Sequence, residues 1–129
     1  MEKRDKEMQS HQIVGQVTET VEKLLSLANI KDKNIYFAPS NLEHMKNSHP
    51  EDFEKYGSRL TEILAVPDYV GQNPKDGSIE YVKEFYVDGE YVKVAVRLSH
   101  SDKYFARSLY VLNKNRVKRF IEKGTLKKA

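Results

Sequence analysis

Two histidines and two arginines occupy positions from which they could carry out phosphodiester chemistry. His44 and His49 lie in His44-Met45-Lys46-Asn47-Ser48-His49-Pro50, Arg97 follows Val94-Ala95-Val96, and Arg107 lies within Tyr104-Phe105-Ala106-Arg107-Ser108-Leu109-Tyr110. Cleaving RNA without a metal requires a base for the 2′-hydroxyl proton, an acid for the leaving 5′-oxygen, and cations to hold the phosphorane charge. Imidazole suits the first two roles, because a reference pKa of about 6.5 keeps both its forms available near neutrality. Guanidinium suits the third: its planar fork donates paired hydrogen bonds to phosphate oxygens and stays charged. His44 and His49 would point about 140° apart on a continuous helix. The break imposed by Pro50 on the residue before it lets them converge. The same residues also have structural uses, His49 as a cap packed on Pro50 and His44 as a surface residue. His44, His49 and His100 lack the tight spacing of a zinc site, so neither a metal nor another cofactor is expected. His11 is expected to be solvated on an N-terminal appendage.

The elements that must position these groups follow from periodicity. Val14, Val17, Val21, Leu24, Leu25 and Ala28 recur at three- and four-residue steps, predicting an amphipathic helix over about 8–28. With the polar stretch 29–34 as a hinge, this divides the chain into an N-terminal helix and hinge at 1–33 and a main domain at 34–129. A short strand is expected at 35–38, ended by Pro39. A helix then starts at Ser40, capped by its hydroxyl with Glu43 reaching back. Pro50, Glu51 and Asp52 have the composition of a first helical turn, and Phe53, Tyr56, Leu60, Ile63 and Leu64 supply an apolar face up to Pro67, with an interruption at Gly57. Residues 68–78 read as a loop. Runs at 79–87 and 91–98, joined by Asp88-Gly89, and a third at 104–112 predict an antiparallel meander. A short basic helix from Asn113 or Lys114 to Lys123 closes the chain, stopped by Gly124. The fold class is therefore α+β, with N-terminal helices packed on an antiparallel sheet.

Composition sets the outer bounds. At 129 residues, 39% of them hydrophobic, the chain has room for one domain with an appendage. The absence of cysteine excludes disulfides and thiolate nucleophiles. No apolar run is long enough for a bilayer and the first residues are polar, so a cytoplasmic protein without membrane contact is expected. Charge is unevenly spread: 11 Lys/Arg against 16 Asp/Glu through Gly89, then 11 against 3 after it. The basic C-terminal part favours a polyanion, with RNA the first expectation and an acidic protein the second. Tyr104 and Tyr110 could stack exposed bases, and Lys103 adds phosphate attraction. A homo-oligomer through the N-terminal helix is the remaining expectation for a partner.

In the order of its parts, the helix with His44 and His49-Pro50, the segment Ile63-Leu64-Ala65-Val66-Pro67-Asp68-Tyr69-Val70, then Val94-Ala95-Val96-Arg97-Leu98, Ala106-Arg107-Ser108-Leu109-Tyr110 and a late basic helix, the chain resembles the phage-associated branch of the barnase, EndoU, colicin-nuclease and RelE-like superfamily. The resemblance covers about 35–128. It implies a metal-independent ribonuclease acting as a toxin or prophage-encoded effector, with a protein inhibitor or antitoxin as a further partner. It also implies His44 and His49 as acid-base groups, Arg97 and Arg107 as phosphate holders, and Ser108 or Tyr104 as auxiliary donors. No strand glutamate in the barnase manner is evident. The rival expectation is a non-catalytic phage or mobile-element accessory protein that keeps the fold and binds RNA or an acidic protein.

Overall fold

The computed structural model describes residues 11–129. A seven-stranded sheet runs through the molecule in the order β1-β2-β6-β5-β4-β3-β7. Its strands are β1 (Gln12–Gln16), β2 (Asn34–Phe37), β3 (Tyr69–Gln72), β4 (Ile79–Phe85), β5 (Glu90–Leu98), β6 (Tyr104–Leu112) and β7 (Leu126–Lys128). The helices are α1 (Glu19–Leu24), α2 (Pro39–Ser48), α3 (Pro50–Tyr56), α4 (Leu60–Ala65) and α5 (Lys114–Glu122), with a 3-10 turn (Gly57–Arg59) between α3 and α4. Every strand pairing is antiparallel except β2 with β6. The class is α+β, and β4, β5 and β6 form the expected meander. Asp88 and Gly89 turn the hairpin, with Gly89 at φ +64°, but the turn begins earlier than expected. Tyr86 and Val87 leave the strand and stand exposed at its tip.

The predicted helix over 8–28 does not form. Residues 12–16 are a strand paired with β2, and only 19–24 are helical, begun by Thr18, whose hydroxyl accepts the Val21 N–H at 3.2 Å. The helical spacing joined residues of three different settings: Val14 from β1, Val17 from the connection, and Val21 and Leu24 from α1. Ile13 and Val14 are β-branched residues that suit a strand. Val17 and Val21 enter the same core as Ile35 and Leu64, so the described part of the segment before 34 gives a strand to the sheet and side chains to its core. The part of the predicted helix before residue 11 lies outside the described residues. Two other short strands were also missed, β3 inside the predicted loop and β7 beyond α5, and they pair with each other. Gly71 allows that pairing, because a Cβ there would lie 2.3 Å from the Thr125 carbonyl oxygen.

The sheet has two unlike faces. One carries Ile79, Tyr81, Val92, Val94, Val96, Ala106 and Leu109 and is covered by the segments from α1 to α4 through Val21, Met45, Tyr56, Leu60, Ile63 and Leu64. On the other face α5 covers only one end, where Val117 joins Val82, Leu112 and Leu126, with Tyr91 and Tyr110 packed against them. Among the described residues no helix covers the rest of that face, and it is the face to which Lys93, Ala95 and Arg97 point by alternation with the buried valines.

Candidate active site

Alternation carried through β6 would group Arg107 with the core residue Leu109. The register avoids this: Ser108 pairs with Ala95 and Ala106 pairs with Val96, leaving Arg107 as an extra residue without a partner on β5. This bulge inverts the parity of the strand, so Ala106 and Leu109 are both fully buried while Arg107 is exposed. Arg97 pairs with Phe105, which makes Arg107 its diagonal neighbour at about 7–8 Å between backbones, close enough for both side chains to reach one group.

They meet in a cleft of about 420 Å³ lined by Arg97, Arg107, Phe105 and His11 together with Ser40 and Asn41 of the first turn of α2. That helix is capped two residues earlier than predicted. Ala38 is the N-cap and Pro39 occupies the first helical position, where its missing N–H costs nothing. Asn41, not Glu43, reaches back, its Oδ1 accepting the Ala38 N–H at 2.9 Å. The partial positive end of the ten-residue helix is thereby directed at the cleft, a setting that favours anions. Among the described residues neither guanidinium has an ion-pair partner. The cleft thus brings two guanidiniums without ion-pair partners among the described residues next to a helix N-terminus, with Asp76 the carboxylate that feels the charge of Arg97.

The imidazole that lines this cleft is His11, which was expected to be solvated. Instead it is half-buried, edge-on to Phe105 at 5.4 Å between centroids, because the strand it leads into pairs beside β2. His44 is exposed four residues after Ser40, about 6 Å further along α2 on the same ridge, with its Nε2 3.4 Å from Ser48 Oγ. His49 caps the end of α2 and the start of α3, as Pro50 demands. It lies about 15 Å along the helix axis from the end that enters the cleft. His44 and His49 therefore do not line the cavity with Arg97 and Arg107.

His49 belongs to a second cluster on the same open face. Its ring stacks on Tyr110 at 4.7 Å and 27°, and Lys93 Nζ lies 4.9 Å from the centre of the Tyr110 ring. Lys93 also donates to Glu80 Oε2 at 2.7 Å, and both side chains are only 13% exposed. Burial works against the charge of Lys93, but the bonds to Glu80 and Tyr110 outweigh it and hold the ammonium above the usual lysine range. Glu80 is a strand glutamate that the sequence reading missed; its place on the open face follows once Ile79 and Tyr81 are recognised as core residues. Ser108 is half-buried between the two clusters, opposite Ala95. Tyr104 is 8% exposed in the core, so it is unavailable for stacking on a ligand. Lys103 extends away from the arginines, its Nζ 5.3 Å from the centre of the Tyr36 ring.

The model of the family described as phage-Barnase-EndoU-ColicinE5/D-RelE like nuclease3 matches residues 3–119. The chain belongs to that family. No curated protein and no solved structure matches it. The match begins well before Ile35, where the resemblance read from the sequence began, and so takes β1 and α1 into the nuclease-like domain along with the residues that line its cleft. Among the described residues of this nuclease-like chain, no helix is long and apolar enough to cross a membrane.

Proposed function

We propose that this chain is a metal-independent ribonuclease that grips the scissile phosphate between Arg97 and Arg107 at the N-terminus of α2. The observation that carries the reading is the convergence of two unpaired guanidiniums, a helix N-terminus and an imidazole in one cleft. In this reading one neutral imidazole takes the proton from a ribose 2′-hydroxyl, whose oxygen attacks the adjacent phosphorus. The guanidiniums hold the charge that builds on the equatorial oxygens, and an imidazolium gives its proton to the departing 5′-oxygen. The products are a 2′,3′-cyclic phosphate and a free 5′-hydroxyl. His11 takes one of the two proton-transfer roles because it lines the cleft. His44 takes the other as the imidazole nearest to it along α2, while His49, at the far end of that helix, supports the Tyr110 side of the open face.

The test is incubation of the purified chain with total RNA in EDTA, followed by analysis of the product ends, for wild type, His11→Ala, His44→Ala and Arg107→Gln. Cleavage with cyclic phosphate ends, unaffected by the chelator and lost in all three variants, is the expected result. Cleavage abolished by EDTA, or retained in Arg107→Gln, overturns the mechanism. A second reading, a binding module for RNA without catalysis, is favoured by the presence of a single imidazole in the cleft lining. RNA that is bound by wild type but left intact decides for it. Action as a toxin rests on the catalytic reading, and induced expression of wild type against Arg107→Gln tests it: only the wild type should arrest growth.

A further inference from the structure

We propose that the aromatic strip beside the arginine cleft is a nucleobase subsite, so that the cleft takes a single-stranded RNA segment through a phosphate and an adjoining base. This rests on the reading of the cleft as a phosphate site.

The strip is a product of strand register. Ile13 pairs with Tyr36, Tyr36 with Phe105 and Phe105 with Arg97, which places one side chain from each of four neighbouring strands in a single row on the open face. Within the row, the Tyr36 and Phe105 rings are 5.9 Å apart at 40°, and Phe105 itself lines the cleft. Both rings are half-buried and Ile13 is 58% exposed, so among the described residues the row offers apolar surface directly beside two guanidiniums without ion-pair partners. The Tyr36 ring is held in place: its hydroxyl donates to Asp32 Oδ2 at 2.6 Å, and Asp32 also accepts the Asn34 N–H at 3.0 Å. Lys103 Nζ lies 5.3 Å from the centre of that ring, within the field of the Asp32 carboxylate.

An apolar, ring-bearing surface with two guanidiniums at one end matches a phosphate and the π-face of its adjoining base. The bases of a duplex have their faces stacked on one another and unavailable, so the subsite selects single strands. An acidic peptide would satisfy the arginines but leave the rings without a planar partner.

The test is fluorescence anisotropy with 2′-O-methyl oligonucleotides, which cannot be cleaved, comparing a single strand that carries bases with an abasic strand of equal length and charge. Wild type should prefer the base-bearing strand by about tenfold. Tyr36→Ala should lose that preference while binding the abasic strand as wild type does. Tyr36→Phe, which keeps the ring and loses only the bond to Asp32, should retain the preference and confirms that the site tolerates substitution. Arg97→Gln should weaken both strands. Equal binding of the two strands by wild type, equal losses on both strands in Tyr36→Ala, or displacement of the base-bearing strand by its duplex form or by an acidic peptide of the same charge overturns the subsite and leaves the phosphate site standing. Failure of Arg97→Gln to weaken either strand removes the phosphate site, and the subsite with it.

Discussion

Removing one guanidinium from the cleft should weaken RNA binding by an amount and with a salt signature that distinguish a phosphate grip from general surface charge. Arg97 and Arg107 are diagonal neighbours across β5 and β6, both line the cleft, and neither is engaged by a carboxylate among the described residues. A charge-assisted hydrogen bond to phosphate is worth about 1.5–3 kcal/mol, so Arg97→Gln or Arg107→Gln should raise Kd by roughly 10- to 150-fold. Releasing one phosphate of a single strand should also flatten the plot of log K against log salt by about 0.7. If both arginines hold the same phosphate, the double variant should lose less than the two single losses combined, with a coupling of about 1 kcal/mol or more. Lys118→Gln on α5, a charge removed outside the cleft, should shift Kd by no more than about twofold. The assay is anisotropy with a 2′-O-methyl oligonucleotide between 50 and 200 mM salt, conditions over which such slopes of roughly this size are resolved. Single variants within twofold of wild type with unchanged slopes, or a Lys118→Gln effect as large as theirs, refute the reasoning.

Three further outcomes follow from other parts of the molecule. Tyr56 donates to Glu90 Oε1 at 2.7 Å and is itself pushed up to about 12 by burial and that bond, so Tyr56→Phe should cost about 1 kcal/mol in urea denaturation. Because Lys55 and Tyr56 hold the Glu90 carboxyl below its usual range, that stability is present above the ordinary carboxylate pKa and disappears as pH falls through the lowered one; a Tm gap between wild type and Tyr56→Phe that fails to narrow in acid contradicts the assignment. Gly71→Ala drives a Cβ into the Thr125 carbonyl and should destabilise by about 2 kcal/mol or more, with amide exchange rising first in β7; normal stability would show that the β3–β7 pairing is dispensable. A double-mutant cycle of His49→Ala and Tyr110→Leu should report a coupling of about 1 kcal/mol from their stacked rings, and additive losses would deny that stacking.

The sequence carried the central meander well, because β4, β5 and β6 are long runs of β-branched and aromatic residues whose alternation is driven by one buried face. The break at His49-Pro50 was equally legible, since proline restricts the residue before it. The edges of the sheet were not. β1 and β7 are five and three residues long and carry no sustained alternation, and their strand character depends on neighbours brought from far along the chain. The site inherited these limits. The facing of Arg97 follows from simple alternation with Val92, Val94 and Val96, whereas strict alternation on β6 puts Arg107 in conflict with its exposed position until the unpaired residue in the register is taken into account. That conflict was itself the available signal for a bulge. His11 was missed because the stretch that delivers it was read with a period of 3.6 residues, and a strand beginning at Gln12 brings its ring to Phe105.

β2 meets β6 over only two residue pairs, at Tyr104 and Phe105. Beyond them α2 runs beside the strand, and the Val111 N–H is taken by the Asp52 carboxylate at 3.0 Å. A central strand with bare ladder groups would be a template for foreign chains, and here α2 lies along it while one acidic side chain takes the Val111 N–H. The truncated neighbour therefore does more than shorten a sheet. It opens a berth the width of one helix alongside β6, and a helix moored there must aim its leading end at the arginines.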